Sequence, residues 1–373
     1  MKYDYLIVGA GLFGATFAEQ ARKNKQSCIV IDRRNHIGGN CYTEKTEYNI
    51  DIHKYGPHIF HTNNEKIWDY VNQFAKFNNF VNRPKVSFKN EIYSFPINLF
   101  TLYQIWGIKN PNECRQKINQ VKLDIKNPKN LEEWVLSQVG SEIYQTFIYG
   151  YTKKQWNTEP KNLPASIIKR LPIRFTFDDN YFNDSYQGIP VNGYTEMIKN
   201  MFDKTEIICD TDYFENKDYY DSLAHRVVYT GHIDRFFDYK FDRLRYRSLR
   251  FQQSLLNTND FQGNAVINFT DSSVPYTRIV EHKHFNLNPK NIDCGHTYIT
   301  KEYPEDFNES NNEPYYPIND DFNNQIYLKY KNLINPLNKK YIFGGRLAEY
   351  RYMDMHQVIA SAINIYSKYN ELK

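Results

Sequence analysis

Cysteine is scarce in this chain: five residues (Cys28, Cys41, Cys114, Cys209, Cys294), odd in number, scattered, and never spaced C-x-x-C. That excludes a disulfide framework and a structural zinc site, and it points to a reducing, cytoplasmic setting. Charge of one sign is scarce too. With 47 basic and 43 acidic residues the net charge is +4, too little for a broad polyanion-binding face, so nucleic acid is not an expected partner. No run approaches the roughly 18 apolar residues that span a bilayer. The first apolar strand begins at Tyr3, which leaves no room for a signal peptide, so none is expected. Repeats and low-complexity linkers are absent. At 373 residues the chain is long enough for two or three domains at about 150 residues each.

What is present is a βαβ opening. Residues 4–9 (DYLIVG) form an apolar run ending in glycine, residues 12–23 carry apolar side chains at helical spacing, and residues 27–32 (SCIVID) form a second buried strand ending in an acid. Between them, Gly9-Ala10-Gly11-Leu12-Phe13-Gly14 reads G-x-G-x-x-G. The first glycine allows the turn, the second admits a pyrophosphate, and the third packs helix on strand. The helix N-terminus favours the phosphates, and Asp32 is placed to bond ribose hydroxyls. A second glycine pair, Gly38-Gly39, and a C-terminal Gly344-Gly345-Arg346 are more than a nicotinamide site needs, which favours FAD over NAD.

Further along, Asn130 with Glu133 signals a capping box ahead of a stripe through Leu131, Trp134, Val135, Gln138 and Val139, continued by Ile143 and Phe147. Residues 84–95, 171–190 and 225–285 alternate and read as antiparallel sheet. Residues 305–314 read as a surface loop. Residues 341–344 return to a buried strand, and a helix follows with Asp354 as N-cap and Gln357 at its third position. Its N-terminal N–H groups would favour negative charge on a reduced flavin.

With those pieces in place, the segments YDYLIVGAGLFGA, IDRRNHIGGNCYTE, IHKYGPHIFHTNN, GYTKKQW, LPASIIKRLPIRFTFDDNYF, YQGIPVNGYT, GNAVINFTDSSVPYTRIVEHKHF, TKEYP, EPYYPIND and FGGRLAEYRYMDMHQVI together resemble bacterial UDP-galactopyranose mutase. They follow the family's order from residue 3 to residue 359. The resemblance implies an α/β fold (α+β overall) with a Rossmann-like FAD-binding domain from residues 1–80, 193–232 and 330–373. It adds a helical bundle at 97–170 and an antiparallel sheet domain from 81–96, 171–192 and 233–329. It further implies interconversion of UDP-galactopyranose and UDP-galactofuranose, with flavin N5 of reduced FAD as nucleophile on the anomeric carbon and no net redox change. A cellular flavin reductant and a homodimer belong to the same implication.

By resemblance, Arg170, Arg278 and His61 are the catalytic residues: the two arginines hold the diphosphate, with Arg174 a weaker candidate, and His61 lies at the sugar-reactive face. Asn82, Phe147, Tyr151, Thr152, Trp156, Tyr181, Asn268, Glu302, Tyr315 and Tyr352 complete the substrate site. Gly9, Gly11, Phe13, Gly14, Asp32, Arg33, Gly39, Asn40, His58, Ile59, Asp212, Tyr213, Arg346, Asp354 and Met355 hold the cofactor. His58 and His61 spell H-x-x-H, but no third ligand cluster accompanies them and the metalloprotease spacing differs, so no metal is expected. Three rival functions stand beside the mutase: a flavin oxidase or desaturase of the same fold, a mutase preferring UDP-N-acetylgalactosamine, and a non-catalytic nucleotide-sugar-binding flavoprotein.

Overall fold

Two sheets organise the chain in the computed structural model, which describes residues 2–167, 173–337 and 339–371. The first sheet is five-stranded and parallel throughout, in the order Tyr341–Phe343, Ala224–Tyr229, Tyr3–Val8, Cys28–Ile31, Glu206–Ile208. Its central strands are apolar because both faces are covered. Helices Leu12–Lys23 and Met355–Glu371 pack together on one face, with Phe17 and Tyr366 meeting edge to face. Tyr213, Tyr229 and Phe236 fill the other. Both ends of the chain therefore share one sheet, as a split nucleotide-binding fold requires.

The second sheet has seven strands, in the order Tyr316–Pro317, Tyr246–Leu256, Thr297–Asp306, Arg278–Glu281, Val266–Phe269, Lys85–Phe88, Glu91–Ser94. It is mixed rather than antiparallel, because Val266–Phe269 pairs parallel with Lys85–Phe88. Two further sequence expectations change here. Among the described residues of 171–190 the only strand is Tyr186–Gly188, paired in a separate small sheet with Phe60–Thr62. Residues 225–229, the start of the 225–285 stretch read as antiparallel, lie in the parallel sheet beside the first strand. Periodicity gives the spacing of a strand but not its partner.

Helices between Leu99 and Trp156 form the third layer around a core of Leu102, Leu131, Val135, Ile143 and Phe147. Asn130 caps helix Leu131–Ile143 by accepting from Glu133 N at 2.9 Å. Glu133 returns its bond to Lys129 N rather than to Asn130 N, so only half of the expected box forms. Gly140 breaks the helix at φ 77, where a Cβ would lie 2.5 Å from the Val121 carbonyl oxygen. The chain then passes through a π-helical turn, Tyr144–Tyr149, into Gly150–Trp156. Among the described residues no helix is long and apolar enough to cross a membrane.

Candidate functional site

One cavity of about 940 Å³ runs from the glycine loop to the edge of the helical layer. Its glycine-loop end is built by close backbone approach. Gly9 has φ 116, and a Cβ there would meet Thr230 Oγ1 at 2.0 Å. A Cβ on Gly14 would strike the Gly9 carbonyl at 2.1 Å, so Gly14 packs the helix onto the strand and does not itself line the cavity. Gly11, the residue before the helix, has no side-chain cap. A Cβ on it would find nothing nearer than Gly39 Cα at 3.8 Å, which leaves an anion-sized approach to the first N–H groups. Asp32 accepts from Ala10 N at 2.7 Å and Arg34 N at 2.8 Å and still borders the cavity, with lone pairs left for ribose hydroxyls.

Phe13, Arg33, Gly39, Asn40, His58, Ile59, Asp212, Tyr213, Arg346, Asp354 and Met355 line the same space. Gly344 does not, because the Phe13 ring fills the place its side chain would take. Tyr213 is buried with its phenol on Asp221, and Asp212 pairs with Arg235 at 2.9 Å. His58 Nδ1 donates to the Gly56 carbonyl at 2.8 Å, and burial pulls the imidazole down to about 4, so it is neutral at pH 7.

The stretch 305–314, expected as a plain surface loop, supplies part of the wall through Glu309, Asn312 and Glu313. Glu313 pairs with Arg33 and, at 3.0 Å, with Arg34. Burial pushes Glu313 up, but Arg34 and Arg33 outweigh it and hold the carboxyl below the usual range. All three line the cavity, and Arg34 also stacks on Tyr55 at 4.4 Å.

The other end is cationic and aromatic. Register explains its layout: Val86, Asn268, Arg278 and Glu302 stand directly opposite one another on four neighbouring strands. Facing residues share a sheet face. Asn268 and Arg278 therefore reach the cavity together, while Glu302, fully buried, stands behind Arg278 and bonds its Nε. Glu302, expected at the substrate site, is not among the residues that line the cavity; it bonds the guanidinium of Arg278, which is. Burial pushes the Glu302 carboxyl up despite Arg278, and Glu302 in turn more than offsets the burial of Arg278, which stays cationic.

Asn82, Phe147, Tyr151, Thr152, Trp156, Tyr181, Tyr315 and Tyr352 all border the cavity. Burial raises the phenols of Tyr151, Tyr181 and Tyr352, which remain protonated donors. Tyr316 was not anticipated, yet it lines the wall and stacks on Tyr352 at 5.8 Å, with Arg346 over that ring at 4.7 Å. Lys154 was missed as well. Its Nζ reaches the carbonyls of Phe269, Asp271, Val274 and Tyr276 at 2.8–2.9 Å, pinning the helix of Tyr151 and Trp156 to the loop before Arg278. Arg174 does not line the cavity; it braces the 178–183 loop through Asn180 and Asn183. Arg170 lies outside the described residues.

His61 and His58 do not work as a pair, since each bonds a different partner. Around His61 the fold gathers groups that sequence spacing could not bring together. Asp184 Oδ2 is 2.6 Å from Nδ1, the Phe182 ring stacks at 3.8 Å, and His356 meets its edge at 5.2 Å. Asp354, His356 and His61 bring ligand-type atoms within 4.8 Å of one another, so the expected lack of further histidine or acid neighbours does not hold, although a carboxylate already engages His61.

Residues 146–352 match the family pattern described as UDP-galactopyranose mutase, and residues 7–74 match the NAD(P)-binding Rossmann-like domain. The chain is 40% identical over 377 residues to a dTDP-fucopyranose mutase of Escherichia coli, covering 98% of this chain and 99% of that protein. It is 42% identical to a probable UDP-galactopyranose mutase of Klebsiella pneumoniae, covering 96% and 93%. A crystal structure of reduced UDP-galactopyranose mutase has the same fold, with a TM-score of 0.77 at 13% identity over 100% of this chain and 96% of that one. On a family pattern that spans more than half its length and on relatives aligned almost end to end, this chain belongs to the UDP-galactopyranose mutase family.

Proposed function

We propose that the protein interconverts the pyranose and furanose forms of a nucleotide-diphosphate hexose, UDP-galactose first, with reduced FAD required but not consumed. The observation that carries this reading is the continuity of the cavity. The dinucleotide cradle at Gly9 and Gly11 opens without a wall into the chamber of Arg278, Asn268 and Tyr181. A cofactor ring and a sugar diphosphate would therefore share one space. When bound and reduced, the flavin supplies N5 as nucleophile for the anomeric carbon.

The chain's own residues orient and stabilise. Arg278, braced by Glu302, and the protonated phenols of Tyr181 and Tyr352 would donate to the diphosphate and favour the charge that grows as it leaves. Phe147, Tyr151, Thr152 and Trp156 form the aromatic end suited to a pyrimidine. Arg170 is assigned the second cation by its segment alone. Action as a homodimer in the cytoplasm, with a cellular flavin reductant, belongs to the same proposal.

The test is turnover of UDP-galactofuranose by FAD-loaded protein in dithionite, followed chromatographically as UDP-galactopyranose. A fully reduced, FAD-loaded preparation that leaves the substrate unchanged would refute the reading. A second substrate is favoured by the dTDP-fucopyranose mutase relative. Comparing kcat/KM for UDP-galactose and dTDP-fucose decides between them. An oxidase of this fold would instead release peroxide steadily in air as its substrate disappears.

A further inference from the structure

Asp184 has no role in the scheme above, yet its surroundings define its chemistry. Its Oδ2 is 2.6 Å from His61 Nδ1, and its Oδ1 accepts from Asn63 Nδ2 at 2.6 Å. Asn63 Oδ1 in turn accepts from Ser185 N at 2.8 Å. A backbone N–H can only donate, so it orients the Asn63 amide with oxygen toward Ser185 and NH2 toward Asp184. An ionised carboxylate can only accept. The proton between Asp184 and His61 therefore sits on Nδ1, and a neutral His61 keeps an unprotonated Nε2. Stacking on Phe182 at an interplanar angle of 12° holds the ring. The titratable groups facing His61 are Asp184, His356 and Asp354. His61 and Asp184 both line the cavity.

We propose that Asp184 is a positioning residue that sets His61 as the proton shuttle for opening and closing the sugar ring. This rests on the mutase reading. In the pyranose-to-furanose direction neutral Nε2 would take the proton that the attacking flavin nitrogen gives up and hand it to O5 as the C1–O5 bond breaks with its electron pair on O5, the freed nitrogen pair replacing it at C1. On closure the O4 hydroxyl would form the O4–C1 bond and give its proton to Nε2, which returns it to the nitrogen as that pair goes back. One proton goes out and one comes back, so no outside acid, base or redox reagent is needed. Asp184 stabilises the charged ring and keeps the neutral ring in the tautomer whose Nε2 accepts.

Asp184→Asn tests this sharply. Asn63 still offers NH2, so the new amide must turn its oxygen there and its own NH2 toward His61 Nδ1, which reverses the tautomer. With 15N-histidine-labelled protein, wild-type His61 should give a protonated Nδ1 and a free Nε2, and the variant the opposite. In the reduced enzyme kcat should fall about 100-fold, the lower end of general acid–base effects. KM and UDP affinity by calorimetry should stay within about threefold. Asp184→Glu should restore part of kcat. His61→Gln should lose a similar factor, and adding Asp184→Asn to it should cost little more.

A protonated Nε2 in neutral wild-type His61 would overturn the inference. So would kcat within about threefold in Asp184→Asn, or a loss of UDP binding that matches the loss of rate. If reduced wild type converts neither UDP-galactofuranose nor dTDP-fucofuranose, the shuttle falls with the function, and the 15N spectrum still decides the tautomer.

Discussion

Replacing Arg278 with methionine separates what the buried pair does for stability from what it does for substrate. The substitution keeps the length of the side chain and removes the cation from Glu302, whose side chain is 0% exposed and whose Oε1 has no hydrogen-bond partner among the described residues. Breaking such a pair from one side costs about 3–5 kcal/mol, because an uncompensated charge is left in a poorly solvated place. The carboxyl can limit that cost by taking a proton. Burial already raises it with Arg278 present, and loss of the cation raises it further.

The folded state then holds a proton that the unfolded state has lost. Its stability is full below the ordinary carboxylate range and falls as pH rises toward the raised folded value, at about 1.4 kcal/mol per pH unit. In urea unfolding, Arg278→Met should be about 3 kcal/mol less stable than the parent at pH 8, and the gap should narrow toward pH 5. The double variant Arg278→Met/Glu302→Leu, an apolar pair, should recover most of that stability. It should not recover turnover, since the proposed charge-assisted contact to the diphosphate, worth about 3 kcal/mol or roughly 100-fold in kcat/KM, is gone. A single variant within about 1 kcal/mol of the parent at pH 8, or a double variant with restored turnover, would refute the reasoning.

Gly14→Ala should yield colourless protein, destabilised by about 2–4 kcal/mol, because its Cβ would meet the Gly9 carbonyl oxygen at 2.1 Å; a yellow, stable product would contradict the packing role. Gly140→Ala combines φ 77 with a 2.5 Å approach to the Val121 oxygen and should lose about 2–3 kcal/mol in a urea melt. A change under about 0.5 kcal/mol would mean that the kink relaxes freely. Burial lowers His58 and His232 to about 4 and His282 to about 3. The unfolded chain therefore binds protons that the folded chain refuses, and stability is steady above pH 6.5 and lost as pH falls toward 4. Each histidine should add about 1.4 kcal/mol per pH unit to that slope, and His282→Gln should remove one share. A slope unchanged by that substitution would argue against a neutral His282.

Much of the nucleotide end was legible in one dimension. The apolar run before Gly9, the acid at Asp32 and the helical spacing between them are local features with one physical solution, and Tyr3–Val8, Leu12–Lys23 and Cys28–Ile31 fall where the pattern places them. The capping signal at Asn130 was also readable, because its bond to Glu133 N spans a single turn. Gly140 was not: a glycine inside an apolar stripe looks like any other until Val121 approaches it from another helix. Nor could alternation say which of Tyr315 and Tyr316 stacks on Tyr352, since a strand's parity is set by its partner.

The sequence by itself determined the α/β opening, the dinucleotide loop and the family, because these depend on short-range spacing and on ordered segments. Tertiary structure alone decided that Glu302 stands behind Arg278, that Glu313 pairs with Arg33 and Arg34, and that Asp184 holds His61. Those partners are 24, 280, 279 and 123 residues apart in the chain. Contacts at such separations follow from strand register and loop closure, which no local preference encodes.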